Sequence, residues 1–201
     1  MLPDLAPLTI RTAFEQSIGW FVETVATIEA HEWELPGLGE WTVRELVGHA
    51  SRAITTVDQY LDTPAEHITL VGPLAYWRTL FGSGLVDHAA VAERGRQAAV
   101  TLGDDPVATV WALADELLNR LATVPDDAML GVAGTGISLV DYLPSRIIEL
   151  VVHTLDLRRA LGRELDAPVL ATDAAVSLLV AFGDPATVLL ALLGRGGNLF
   201  G

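Results

Sequence analysis

The chain has 201 residues, 51% of them hydrophobic, and a net charge of -14, with arginine supplying all 12 basic side chains. That length supports one domain with a sizeable core, and the acidic balance excludes the basic footprint of a nucleic-acid binder and disfavours anionic membranes. There is no Cys, which excludes disulfides, thiolate metal ligands and an intrinsic thiol nucleophile.

The start, Met1-Leu2-Pro3-Asp4-Leu5-Ala6-Pro7, has no basic region followed by an apolar run, so no signal peptide is expected. No uninterrupted apolar stretch reaches the length of about 18 residues that a membrane span needs. The expected compartment is the cytoplasm. Over residues 9–31, Ile10, Phe14, Ile18, Phe21, Val22, Val25 and Ile28 recur at helical spacing. The loop Leu35-Pro36-Gly37-Leu38-Gly39-Glu40 ends that pattern. Thr42-Val43-Arg44-Glu45 reads as a capping box that opens a helix running to about Leu61. Pro64 and Gly72-Pro73 mark a loop. Further helices are predicted over 86–101 and 107–123, the second opened by Pro106. Gly131, Gly134 and Gly136 predict an irregular connection or short hairpin. A long helix follows from about Leu139 to Leu161, with Pro144 near its start and Gly162 as the stop. Two short apolar helices, 172–182 and 185–193, precede a Gly-rich tail. No repeat or long linker divides the chain. The expected fold is all-α, a helical bundle with sites built between facing helices.

The 139–161 helix carries the most informative pattern. Arg146, Glu149, His153 and Asp156 form a polar stripe, while Ile147, Ile148, Leu150, Val151, Val152 and Leu155 cover the remaining surface. Glu149 and His153 are four residues apart and project from one face. A helix that is apolar nearly all round is buried, and buried charges are usually paired or bound to metal. His49 stands in a similar setting, on one side of its helix with Glu45 and Arg52. If the two helices are neighbours, His49, Glu149 and His153 form a two-imidazole, one-carboxylate set that suits catalytic zinc with an open position. The same set suits Fe(II) or Ni(II). Read singly, the Glu/His pair also fits a surface ion pair, and His49 a core or surface histidine. His31, His67 and His88 fall in or near loops and helix ends and read as solvated. Trp20, Trp33, Trp41, Trp77 and Trp111 read as core and helix-entry residues, with Trp41 suited to a hydrophobic staple.

Two segments carry a resemblance. Trp41-Thr42-Val43-Arg44-Glu45-Leu46-Val47-Gly48-His49 resembles the W-[ST]-V-x-[DE]-L-x-x-H segment of DinB-like metal-binding bundles. Tyr142 to Leu157 is similar to the R-x-x-E-x-x-x-H-x-x-D-L segment of the mycothiol-dependent maleylpyruvate isomerase branch. The resemblance covers roughly residues 8–162. It implies a DinB-like four-helix bundle whose divalent metal, usually zinc, is held by His49, Glu149 and His153, with Arg146 and Asp156 supporting those ligands. It also implies mycothiol as cofactor or co-substrate, with metal coordination favouring the nucleophilic thiolate. A small electrophilic substrate would then be isomerised by thiol addition and elimination, or would keep the thiol in an S-transfer. Arg52 is a candidate for contacting an anionic thiol or substrate. Residues 163–201 are expected to form a short helical extension, the remnant of the branch's C-terminal domain. Within it, Leu192-Leu193-Gly194-Arg195 matches an L-x-G-R segment, which makes Arg195 a candidate for a substrate carboxylate. The apolar helices there could also serve a homodimer. Two readings without a thiol stay open: a metal-dependent hydrolase, and a non-catalytic bundle that binds metal or a small ligand.

Overall fold

The computed structural model describes residues 6–82, 88–192 and 194–195. Within them lie eight helices and one hairpin: α1 (Pro7–Ala26), α2 (Val43–Leu61), α3 (Pro73–Gly82), α4 (His88–Thr101), α5 (Pro106–Leu121), β1 (Met129–Val132), β2 (Thr135–Ser138), α6 (Leu139–Ala160), α7 (Val169–Phe182) and α8 (Pro185–Leu192). The all-α expectation holds. Residues 86, 87 and 193 of the predicted helices and the tail after Arg195 lie outside the described residues, as does the His88 side chain.

α6 is the central element and packs against α1, α2, α3 and α7. α2 in turn reaches α4 and α5. The shared core is built from Phe14, Ile18 and Phe21 of α1, which the apolar spacing marked, with Leu46, Ile54 and Val57 of α2 and Leu143, Ile147 and Leu150 of α6. The capping box is present as read. The Thr42 side chain accepts the Glu45 N–H at 3.2 Å, and the Glu45 carboxylate accepts the Thr42 N–H at 2.9 Å. This fixes where α2 starts, and so where His49 falls on it.

The hairpin pairs Leu130 with Ile137 and Gly131 with Gly136. Its two-residue turn is Ala133-Gly134, both at positive φ (49° and 80°), the turn geometry that matches strand twist. Gly136 accepts the chain of the preceding loop at very close range: a Cβ there would lie 1.9 Å from the His67 carbonyl oxygen. The hairpin leads directly into α6, whose N-cap Ser138 accepts the Asp141 N–H at 3.3 Å.

Four expectations need correction. α1 stops at Ala26 although the apolar spacing continues to Ile28. Ile28 still enters the core, but the backbone turns there, and Glu32 accepts the Glu29 N–H at 2.9 Å. The segment read as loop at Gly72-Pro73 opens α3, where proline suits the first helical position. Pro144 is the sixth residue of α6, past the first turn; having no N–H, it leaves the Val140 carbonyl without its usual i+4 donor. Trp111 is 60% exposed, because α5 turns Val110, Ala114, Leu117 and Leu121 inward instead. Trp20, Trp41 and Trp77 are buried, as expected.

Candidate metal centre

α2 and α6 are neighbours, and their packing brings together residues a hundred positions apart. One ligating atom from each of His49, Glu149 and His153 lies within 4.8 Å of the other two. The Glu149 Oε2 atom is 3.9 Å from His49 Nε2 and 3.3 Å from His153 Nε2. The imidazole rings meet edge to face, with centroids 4.7 Å apart at 85°. Zn–N and Zn–O bonds near 2.0–2.2 Å place tetrahedral ligand atoms about 3.3–3.6 Å apart, so this donor set fits one small divalent cation with little adjustment. It is the one such group of His and acidic residues among the described residues.

The surroundings account for how charge is tolerated here. Burial alone would raise the Glu149 pKa, but hydrogen bonding to His153 and the charges of Arg146 and His153 outweigh it and bring it to about 2. Burial would lower His153, yet its two carboxylate neighbours, Asp156 and Glu149, push it up to about 9. His49 goes the other way, to about 4, because burial and then the His153 charge both oppose its protonation. At neutral pH these shifts leave Arg146 and His153 positive, Glu149 negative and His49 neutral.

The supporting residues fall into two kinds. Asp156 Oδ2 faces His153 Nδ1 at 3.5 Å, an ion-pair distance too long for a well-formed hydrogen bond. That arrangement orients the ring so that Nε2 points at Glu149. Arg146 is buried, and its guanidinium sits over the rings of Tyr142 (4.9 Å) and Tyr76 (5.5 Å) while Nε donates to Ser145 Oγ at 3.0 Å. Burial raises both tyrosine pKa values, which keeps the phenols neutral beside it.

Arg52 is half-buried on α2, and its charge lowers the His49 pKa. Arg195 lies exposed just past α8, with its backbone N–H donating to the Leu190 carbonyl. His31 and His67 are exposed, as their loop positions suggested. Sequence reasoning missed three contributors. Tyr76 sits on the unpredicted α3. Arg94 on α4 also opposes charging of His49. Trp41 lies against the His49 ring, with centroids 4.4 Å apart. Only its position eight residues before His49 hinted at a contact.

Fold and site together define a helical bundle with a His-Glu-His cluster between its second and sixth helices that could hold a cation. The family model described as the mycothiol maleylpyruvate isomerase N-terminal domain matches residues 14–158, and the chain belongs to that family. The match takes in both the His49 segment and the Glu149/His153 segment. Comparisons with curated proteins and with solved structures give no significant match. No helix among the described residues is long and apolar enough to cross a membrane.

Proposed function

We propose that this chain is a divalent-metal-dependent thiol enzyme, a mycothiol-dependent isomerase or S-transferase acting on a small electrophile. The observation that carries the reading is the convergence of three ligating atoms from α2 and α6 in a chain of this family. His49, Glu149 and His153 would hold the ion, with zinc the first choice for two imidazoles and one carboxylate. A bound divalent ion lowers the pKa of a thiol and so supplies the thiolate at neutral pH.

The chain's own residues prepare that chemistry. Neutral His49 offers a lone pair without losing a proton. His153 gives up its proton on coordination, and Asp156 holds the ring in place for it. Arg146 keeps Glu149 ionised and contributes a fixed positive charge close to the centre. The thiol must come from outside, since the chain has no Cys. Of the two candidate arginines for an anionic thiol or substrate, Arg52 is the better placed, close enough to affect His49. Exposed apolar residues on α7 and α8, including Val169, Val176, Leu189 and Leu190, offer a face for a homodimer.

The test is metal analysis joined to turnover. Purified protein is expected to hold about one divalent ion per chain and to convert an electrophile only when a low-molecular-weight thiol is added. Turnover that is equal without thiol would replace this reading with a hydrolase. A filled site that supports no turnover across a broad electrophile panel would replace it with a binding module.

A further inference from the structure

The two histidines of the centre are supported differently. His153 has a carboxylate beside its Nδ1. His49 Nδ1 is buried and has no hydrogen-bond partner among the described residues, whereas metal-binding imidazoles almost always donate this second N–H to an oxygen. What touches the His49 ring instead is Trp41, with centroids 4.4 Å apart and planes inclined by 32°.

Trp41 is itself fixed by α4 at two points. Its Nε1–H donates to the Ala92 carbonyl of α4 at 3.1 Å. Its ring edge rests on Gly95, where a Cβ would come within 2.8 Å of the indole. Its remaining surface helps line an open groove of about 640 Å³ with Leu38, Glu40, Glu93 and Arg96. None of the three ligand residues lines that groove, so the indole stands between it and His49. α4 is held close to α2 by Gly48, where a Cβ would lie 2.4 Å from the Ala99 nitrogen. The indole, the ligand ring and α4 thus form one stack whose position is set by two glycines.

We infer that Trp41 is the positioning residue for His49, doing by ring contact what Asp156 does for His153 by charge. This rests on the metal-binding reading of the three ligands. The indole sets the ring plane of His49, and α4 sets the indole. Loss of the ring contact is expected to weaken metal binding about tenfold, the low end of the effect of removing an orienting partner.

The experiment uses cobalt(II) as the probe in the full chain. Affinity comes from competition with a chromophoric chelator, and the ligand field from the visible absorption bands. Trp41→Leu is expected to bind about tenfold more weakly with altered bands, and Trp41→Phe, which keeps a ring, to recover most of both. Gly95→Ala leaves every ligand and the indole in place but pushes on the indole, and is expected to alter the bands as well. It also serves if Trp41→Leu fails to fold. Folded Trp41→Phe and Gly95→Ala proteins with parent-like bands, together with a Trp41→Leu protein of parent-like affinity or none folded, would overturn the inference. A lowered unfolding temperature with parent-like bands and affinity would likewise overturn it, leaving Trp41 a packing residue. Parent protein that takes up no cobalt would instead overturn the metal reading itself.

Discussion

Two acids in this molecule, one buried and one half-buried, sit among opposite charges, and they are satisfied in different ways. Glu32, 8% exposed, closes the turn after α1. Arg163 grips it with two parallel bonds, 3.0 Å to Oε1 and 2.8 Å to Oε2, and also donates to the Thr27 carbonyl at 3.1 Å. The Glu29 N–H adds a further bond at 2.9 Å. Donors and acceptors are matched within the chain, as in other bidentate guanidinium–carboxylate pairs. Glu149 is likewise held in its ionised form, yet its closest partners are two imidazoles at 3.3 and 3.9 Å. Those rings also leave Nδ1 atoms without a hydrogen bond. A carboxylate closed by a fork of donors is a fastening. A carboxylate converging with two imidazole nitrogens is a donor set that could hold a cation. Partner type separates the two, where the direction of the pKa shift alone does not.

The sharpest break in that comparison is His153→Ala. Removing one of three ligands should lower zinc affinity by more than about 100-fold, a larger effect than losing an orienting partner. Glu32→Gln should leave the metal content of the chain unchanged. Inductively coupled plasma analysis of both variants decides this, and equal metal loss in the two would erase the distinction. Next in size is Asp156→Asn, which keeps the shape but removes the charge beside His153 Nδ1. Metal affinity should fall about 10- to 100-fold, read by chelator competition.

The pH dependence of metal binding is smaller per step and equally specific. His153 is raised to about 9 and must lose its proton to offer Nε2. Affinity should therefore rise about tenfold per pH unit up to about 9, with one proton released per ion at neutral pH. His49, lowered to about 4, adds a second proton to the competition only in acid. Calorimetry in buffers of different ionisation enthalpy measures the proton count; a count of zero at pH 7 would contradict the charge pattern.

The smallest effect belongs to the fastening. Folding lowers the Glu32 pKa, chiefly through the Arg163 hydrogen bonds. Its contribution to stability is thus present above the ordinary carboxylate value of 4.5 and is lost as pH falls through the lower folded value. The gap in urea midpoint between parent and Glu32→Gln should close on acidification. A gap that stays constant in acid would show that Glu32 acts through packing instead.

Much of this was legible in the sequence because it depends on local rules. The Thr42–Glu45 box, the stripe from Arg146 to Asp156, the stop at Gly162 and a hairpin among glycines each follow from spacing within one element. The pairing of His49 with Glu149 is long-range. Two similar stripes and the family resemblance point to it, and periodicity alone does not. What stayed hidden depends on cross-element contact. α3 is short and follows loop signals, so Tyr76 had no assigned place. Trp41 reads as a helix-entry residue, and only its spacing to His49 hints at the indole–imidazole contact. Trp111 read as core by residue type, although the α5 pattern of Val110, Ala114 and Leu117 already pointed the inward face elsewhere.

Gly48 has a mechanical consequence. At that position α2 and α4 meet backbone to backbone, with no side chain between them to yield. A joint of that kind has no slack. Any displacement of α4, such as one caused by a molecule pressing into the groove beside Trp41, passes to the next residue along, His49, without being absorbed by rotamer changes. The placement of the α4 residues that line the outer groove and that of His49 thereby depend on the same close crossing.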